Sequence, residues 1–322
     1  MSRYARQMLL PEVGVAGQAK LAAAHIAVVG AGGLGCPVLQ YLAGAGIGQI
    51  TLFDPDRIEE SNLHRQPLYR MADLGRLKVE AARDVVTAFN PRIGVTARAQ
   101  TVDPVLANQL AGEADLVIDA ADSFAVSYML SDACLAAKTP LISASVLGQT
   151  GYVGGFCGTA PSLRAVFPDL PMSGASCATA GVLGPVVGVI GALQAQIALR
   201  IVLGCDPSGL GKMLTADLAE LRFGEFSFMG SPEPEAAFPF LALSMVRQSD
   251  LVIELRDRDE APIPLTKHAT RMAQSELASL APASGQRVVL CCLSGLRAWQ
   301  AATELQARGF DDIALIAAKA CA

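Results

Sequence analysis

The chain has 322 residues, 52% of them apolar, which is enough for a sizeable core and for about two domains. Its formal net charge of −5 excludes the clustered basic surface that general nucleic-acid binding needs. Eight cysteines spread over this length exclude a small disulfide scaffold and read as reduced thiols.

The first twenty residues carry Arg3, Arg6 and Glu12 and no continuous apolar stretch, so no signal or transit peptide is predicted and a cytoplasmic location is expected. Residues 25–29 form a short β-branched run that ends in Gly30-Ala31-Gly32-Gly33-Leu34-Gly35, and apolar residues then recur at helical spacing over 36–45. This order of strand, tight turn and helix is the context of a nucleotide-binding fingerprint. Gly30 permits the turn, Gly32 lets backbone N–H groups approach a phosphate at the helix N-terminus, and Gly35 allows helix and strand to pack closely.

A second strand, 49–53, ends at Asp54, where a carboxylate can accept hydrogen bonds from ribose hydroxyls. Up to this point NAD and ATP fit equally. The segment Ser61-Asn62-Leu63-His64-Arg65-Gln66, then Lys78 on a helix, and Asp122 after a strand over 115–120 favour phosphate chemistry. Arg65 can fork onto phosphate oxygens, Lys78 adds a point charge, and Asp122 is a hard oxygen ligand for Mg²⁺. The three histidines, His25, His64 and His268, do not suggest the catalytic group of an NAD-dependent oxidoreductase. Taken singly, Arg6 also reads as a solvated terminal charge and Lys78 as an exposed helix residue.

Strands alternating with helices through residue 150 predict βαβ units and a mostly parallel sheet. A further glycine-rich strand is expected over 149–157, and 160–176 reads as a long loop. The apolar stretch 180–204 is interrupted by Pro185, Gln194, Gln196 and Arg200, so a buried helix at a subunit interface is expected, with no membrane partner.

With Arg3-Tyr4-Ala5-Arg6-Gln7, Asp119-Ala120-Ala121-Asp122 and the run 177–185, these motifs resemble the MoeB/ThiF/HesA family, bacterial relatives of the ubiquitin-activating enzymes. The likeness is colinear from Arg3 to about Asp217. It implies a Rossmann-like α/β ATP-binding domain that adenylates the C-terminal glycine of a small ubiquitin-like sulfur-carrier protein ending in Gly-Gly, in molybdopterin, thiamine or a related pathway. Gly32 and Gly33 would lie against the phosphates, Asp54 would hold the ribose, and Ser61, Asn62, Leu63, His64 and Arg65 with Lys78 would surround the triphosphate. Asp122 would hold Mg²⁺. Ser123, where asparagine is usual, would complete the nucleotide contacts.

By the same resemblance, Arg6 would enter the active site of the opposite subunit of a homodimer, and Cys177 would form a covalent link with the carrier, unless it is a buried structural thiol. The family's zinc ligands would fall near 162–165 and 228–235, none of which is cysteine here, and the chain has no pair of Cys-x-x-C motifs. No zinc site is therefore predicted.

A Pro- and Glu-rich linker near 230–235 divides the chain into 1–228, a linker over 229–245, and a smaller unit over 246–322. In the smaller unit a buried strand over 287–291 is followed by Cys292-Leu293-Ser294-Gly295-Leu296-Arg297 and an amphipathic segment over 298–309. Backbone N–H groups there, with Arg297, would stabilise a thiolate or persulfide anion. Cys291 is expected to point away from Cys292. The Cys-x-Ser-Gly-x-Arg pattern resembles the active loop of rhodanese-like sulfurtransferases, with the opening strand at 251–257 and a shortened segment between Asp257 and Ser275. That implies a persulfide on Cys292, loaded by a sulfur donor such as a cysteine desulfurase. The alternative reading is a catalytically idle carrier-binding or regulatory module of the same fold.

Overall fold

The computed structural model describes residues 3–170, 181–235, 237–283 and 285–320. Its first sheet has eight strands in the order β3-β2-β1-β4-β5-β6-β7-β8. The strands β1 (His25–Val29), β2 (Gln49–Phe53), β3 (Gly94–Arg98), β4 (Leu116–Asp119) and β5 (Pro140–Leu147) pair in parallel. The strands β6 (Thr150–Cys157), β7 (Lys212–Asp217) and β8 (Arg222–Ser227) extend the sheet in antiparallel register. The fold is thus mixed α/β with a mostly parallel Rossmann-like core. The chain leaves β1 toward β2 on one side and returns as β4 on the other, so the order reverses beside β1, where open α/β sheets bind ligands.

The helices α1 (Gly14–Ala23), α2 (Gly35–Ala45), α3 (Lys78–Phe89), α4 (Pro104–Glu113) and α5 (Phe124–Ala137) follow from the sequence period and from local signals. Helix α2 stops at Gly46, whose φ of 83° suits the left-handed cap. Helix α4 starts at Asp103, whose side chain accepts from Leu106 N, with Pro104 as first helical residue. The expected loop after β6 contains a short helix, α6 (Leu163–Val166), capped by the Ser162 hydroxyl.

Helix α7 (Gly184–Leu203) is long and apolar enough to cross a membrane by length and composition alone. In the fold it packs on α2, β5 and β6, and Gln194 at its middle is fully buried with Nε2 donating to the Asp119 carbonyl at 2.7 Å. A buried amide with a backbone partner marks a helix inside a protein core.

The second sheet is wholly parallel, in the order β10-β9-β11-β12, formed by β9 (Leu251–Glu254), β10 (Thr270–Arg271), β11 (Val288–Cys292) and β12 (Ile313–Ala317). Helix α8 (Leu296–Ala307) begins two residues earlier than the sequence pattern suggests. Residues 239–241 join the edge of this sheet, with Leu241 N donating to Leu315 O and Leu315 N to Pro239 O. Cys291 belongs to the cluster with Val252, Val289 and Ile316, whereas Cys292 faces the opposite side with Leu290, Ala298 and Trp299, as strand alternation requires.

The apolar face of α8 does not close on its own sheet alone. One cluster runs from Ala125, Tyr128 and Met129 on α5 through Phe238 and Phe240 to Trp299 and Leu305 on α8. The two sheets therefore share a continuous core.

Candidate active site

The glycine turn sits where β1 and β4 meet. Gly30 has φ 106°, and a Cβ there would strike the carbonyl of Ala120; a Cβ on Gly35 would strike the Gly30 carbonyl. Only glycine lets strand, turn and helix approach this closely. Asp54, nine-tenths or more hidden at the end of β2, clamps the turn: Oδ2 accepts from Ala31 N at 2.7 Å, and Oδ1 from Asp56 N at 2.8 Å. Burial pushes its carboxyl above the usual range, while Lys78 and these N–H groups pull it back in part. Tyr69 Oη donates to the Ala31 carbonyl at 2.7 Å and holds the turn from the other side.

Lys78 is the first residue of α3 and is buried, unlike the exposed helix lysine that the sequence left open. Its Nζ lies 2.9 Å from Asp56 Oδ2. The 61–66 segment opens in a 3₁₀ turn, Glu60–Asn62, and continues as a hydrogen-bonded turn over 63–65. Its residues turn inward on one another: Arg65 Nη1 donates to Ser61 O at 3.1 Å, Asn62 Nδ2 to Ser61 Oγ at 3.3 Å, and His64 Nδ1 lies 3.0 Å from Ser61 O. The segment nevertheless borders the glycine turn and α7. A Cβ on Gly33 would lie 3.4 Å from Arg65 O and 3.1 Å from Val187, and one on Gly184 would lie 2.5 Å from His64 O. Gln66 is buried beside Gly32, and its Oε1 has no hydrogen-bond partner among the described residues. A buried polar atom left open beside a glycine turn is suited to meeting a polar ligand.

Asp122 is exposed just beyond β4 and accepts no hydrogen bond among the described residues, and the half-buried Ser123 follows as the N-cap of α5. Three residues earlier, Asp119 is fully buried, a feature that sequence reasoning missed although the residue stood in a quoted motif. Its carboxylate accepts from Ser143 Oγ at 2.7 Å and from Ala121 N at 3.2 Å. Burial pushes its pKa up to about 6, against the opposing effect of the Ser127 and Ser143 hydroxyls. Gln194 and Tyr69 were missed as well, because neither has a local signal; only the fold brings them to the turn.

Arg6 is exposed at the N-terminal end of a short 3₁₀ turn, away from any side-chain partner among the described residues. Cys177 and its run 177–180 lie outside the described residues. Where the zinc ligands of the resembled family would fall, Glu233 accepts from Ser162 N at 2.7 Å and from Ser162 Oγ at 2.5 Å.

Residues 292–297 differ in part from expectation. Cys292 is the last residue of β11 rather than an open-loop residue, and is 1% exposed. Gly295 N and Ala298 N do point at Sγ, at 3.2 and 3.4 Å. Arg297 instead pairs with Glu260 and donates to Leu255 O. Leu293 and Ser294 are exposed, Gly295 is buried, and Leu296 is half-buried. The opening-strand glutamate, Glu254, is fully buried and accepts from both ends of the Arg256 fork at 2.8 and 2.6 Å.

The sequence model of the ThiF family matches residues 4–236. The chain belongs to the ThiF family. Among its relatives, an adenylyltransferase and sulfurtransferase MOCS3 of Culex quinquefasciatus is 41% identical over 233 residues, which is 71% of this chain and 53% of that protein. A sulfur carrier protein adenylyltransferase of Thermus thermophilus is 39% identical over 240 residues, covering 72% and 89% of the two chains. Among solved structures, E. coli MccB in complex with ATP superposes with a TM-score of 0.63 at 25% identity, covering 72% of each chain. This ThiF-family chain spans about half the length of the MOCS3 relatives it matches.

Proposed function

We propose that this ThiF-family chain is an adenylyltransferase that uses ATP to activate the C-terminal glycine of a small ubiquitin-like sulfur carrier. The observation that carries this reading is the convergence of the glycine turn, Asp54, Lys78, Gln66 and Asp122 at the carboxyl edge of β1, β2 and β4. The names of the Culex and Thermus relatives support it.

In this reading Asp54 accepts the ribose hydroxyls, and the N–H groups of 31–33 receive phosphate oxygens beside the N-terminus of α2. Lys78 and Arg65 turn from Asp56 and Ser61 to the triphosphate, and Arg6 arrives from the partner subunit of a homodimer. Ser61, Asn62, Leu63, His64 and Ser123 line the nucleotide. A carboxylate is already a nucleophile, so the chain supplies positioning and charge stabilisation, and no general base is required. The exposed Asp122 carboxylate, which accepts no hydrogen bond among the described residues, fits Mg²⁺, which takes one or two carboxylates together with substrate phosphates. When bound there, Mg²⁺ would offset the charge of the phosphate oxygens.

The second half of the reaction is assigned to Cys292. A persulfide on this residue, loaded by a donor such as a cysteine desulfurase, displaces AMP from the acyl-adenylate and leaves an acyl disulfide. Attack by a thiol, a role assigned to Cys177, releases the thiocarboxylate and leaves a disulfide, which an external thiol reduces. Residues 1–228 are assigned to adenylation and 246–322 to sulfur transfer, in a cytoplasmic enzyme without structural zinc.

The decisive experiment is pyrophosphate exchange into ATP with a carrier ending in Gly-Gly. Carrier-dependent exchange is the expected outcome. A folded, ATP-binding protein that exchanges no pyrophosphate with any such carrier would favour the idle module.

A further inference from the structure

We propose that the seam between the two sheets is a gate on Cys292. The sulfur is sealed while α8 is docked on α5, and it becomes reachable only when Trp299 leaves its clamp. This inference rests on the reading of Cys292 as the sulfur-carrying residue and adds a control that the reading alone does not contain.

The seal is built from both halves of the chain. Cys292 Sγ is covered from its own side by Gly295 N and Ala298 N. Across the seam, Gly295 is packed so tightly that a Cβ there would lie 2.8 Å from the Phe240 ring and 3.5 Å from Ala125 Cβ on α5. A persulfide is larger than a thiol by one sulfur atom, and a carrier tail is larger still. Neither can reach a 1% exposed sulfur in this packing.

One clamp holds the docked state. The guanidinium of Arg164, itself 4% exposed, lies 4.7 Å from the Tyr128 ring centroid and 5.6 Å from that of Trp299. Nε and Nη2 of Arg164 pair with Asp132 on α5 at 2.6 and 2.8 Å, and Nη2 also donates to Phe238 O at 3.4 Å. Trp299 meets Tyr128 at 5.8 Å and Phe238 edge-on at 5.2 Å. A buried cation stacked on aromatic rings and paired with a carboxylate holds its geometry strongly, and loses it as a unit once one member is removed.

The clamp is also tied to the nucleotide site. Helix α5 carries Ala125, Tyr128 and Asp132, and it starts immediately after Asp122 and Ser123. A ligand that draws on Asp122 acts on the first turn of the helix that covers Gly295. Nucleotide binding is thus placed to shift the docking equilibrium, to the extent that its affinity differs between the docked and open states.

The test is alkylation of the full-length protein by iodoacetamide, read at each cysteine by mass spectrometry, with emission from Trp299, the single tryptophan, as the report on the seam. In the wild type Cys292 should label more than about tenfold slower than the half-exposed Cys205. Arg164→Ala should raise the Cys292 rate by about tenfold or more and shift Trp299 emission to the red, while Cys36 and Cys291 stay protected; Arg164→Lys should fall between. If Arg164→Ala exposes every cysteine by unfolding, Phe240→Ala decides, because it removes the ring over Gly295 and leaves the ion pair. Fast labelling of Cys292 in the wild type, or an unchanged rate in a folded variant whose Trp299 emission has shifted, would overturn the gate. Labelling needs no turnover, so the sulfur-transfer reading fails separately, when Cys292→Ala still forms thiocarboxylate at the wild-type rate.

Discussion

Lys78 Nζ stands 2.9 Å from Asp56 Oδ2, with the lysine side chain 7% exposed and the aspartate 54%. The pair joins the start of α3 to the segment after Asp54, and so places a buried cation beside the glycine turn. Lys78→Ala should lower carrier-dependent pyrophosphate exchange by about 10²–10³-fold, the usual scale for a preorganised charge lost from a transition state. Asp56→Asn leaves the buried ammonium without its charge partner, so its melting temperature should fall below the wild type. Equal loss of exchange in both variants would place the essential charge on the ion pair instead of the lysine.

Asp54 satisfies two backbone N–H groups and is expected to hold the ribose. Asp54→Ala leaves Ala31 N and Asp56 N without that acceptor, at about 1–3 kcal/mol for each that stays dry. The melting temperature should fall, and ATP affinity by calorimetry should weaken about tenfold or more. Unchanged ATP affinity in a folded variant would remove Asp54 from the nucleotide site.

Asp119 imposes a pH dependence of unusual sign for a carboxyl group. Its folded pKa of about 6 lies above the 3.8 of a free aspartate, so between these values the folded chain keeps a proton that the unfolded chain has released. The contribution favours the fold at acid pH and is lost as pH rises through about 6, on the order of 2–3 kcal/mol. Asp119→Asn should therefore gain stability relative to wild type between pH 4.5 and 7.5, measured by denaturant melts. Parallel pH profiles for the two proteins would show that Asp119 ionises normally.

Glu233 bridges to Ser162 where the resembled family would place zinc ligands. Glu233→Ala should destabilise the fold by about 1–3 kcal/mol through the Ser162 N–H left without its acceptor. Chelator treatment of the wild type should leave its melting temperature unchanged. One zinc per chain by metal analysis would contradict the zinc-free assignment.

Arg6 has no partner of its own subunit among the described side-chain contacts. In a homodimer with shared sites, mixing Arg6→Ala with Lys78→Ala should restore about a quarter of wild-type exchange, because half the dimers are mixed and each has one intact site. No recovery after verified subunit mixing would confine Arg6 to its own chain.

Much of the nucleotide-binding half is legible in the residue order. The strand over 25–29, the glycine turn and the strand ending at Asp54 are local signals, each set by a short-range steric or hydrogen-bonding need, and they appear in the fold at nearly the expected bounds. The antiparallel extension β6-β7-β8 and the partners Gln194, Tyr69 and Ser143 carry no such signal. They come from segments far apart in the chain, and their side chains acquire meaning only when α7 and β5 pack beside Asp119 and the turn.

Cys292 shows the same division most sharply. Its place after an apolar strand and before a Gly-containing turn into a helix is local information, and the N–H groups on its sulfur follow from it. Its burial is not local. Phe240 and Ala125 pack on Gly295 beside it, and Tyr128, Arg164 and Trp299 join α5 to α8, because the apolar face of α8 is shared between its own sheet and α5. A nucleotide turn and a cysteine placed between a strand end and a helix start are written in local residue order, whereas the closure of that cysteine is not, since a shared core between two sheets is a property of packed surfaces and of no single segment.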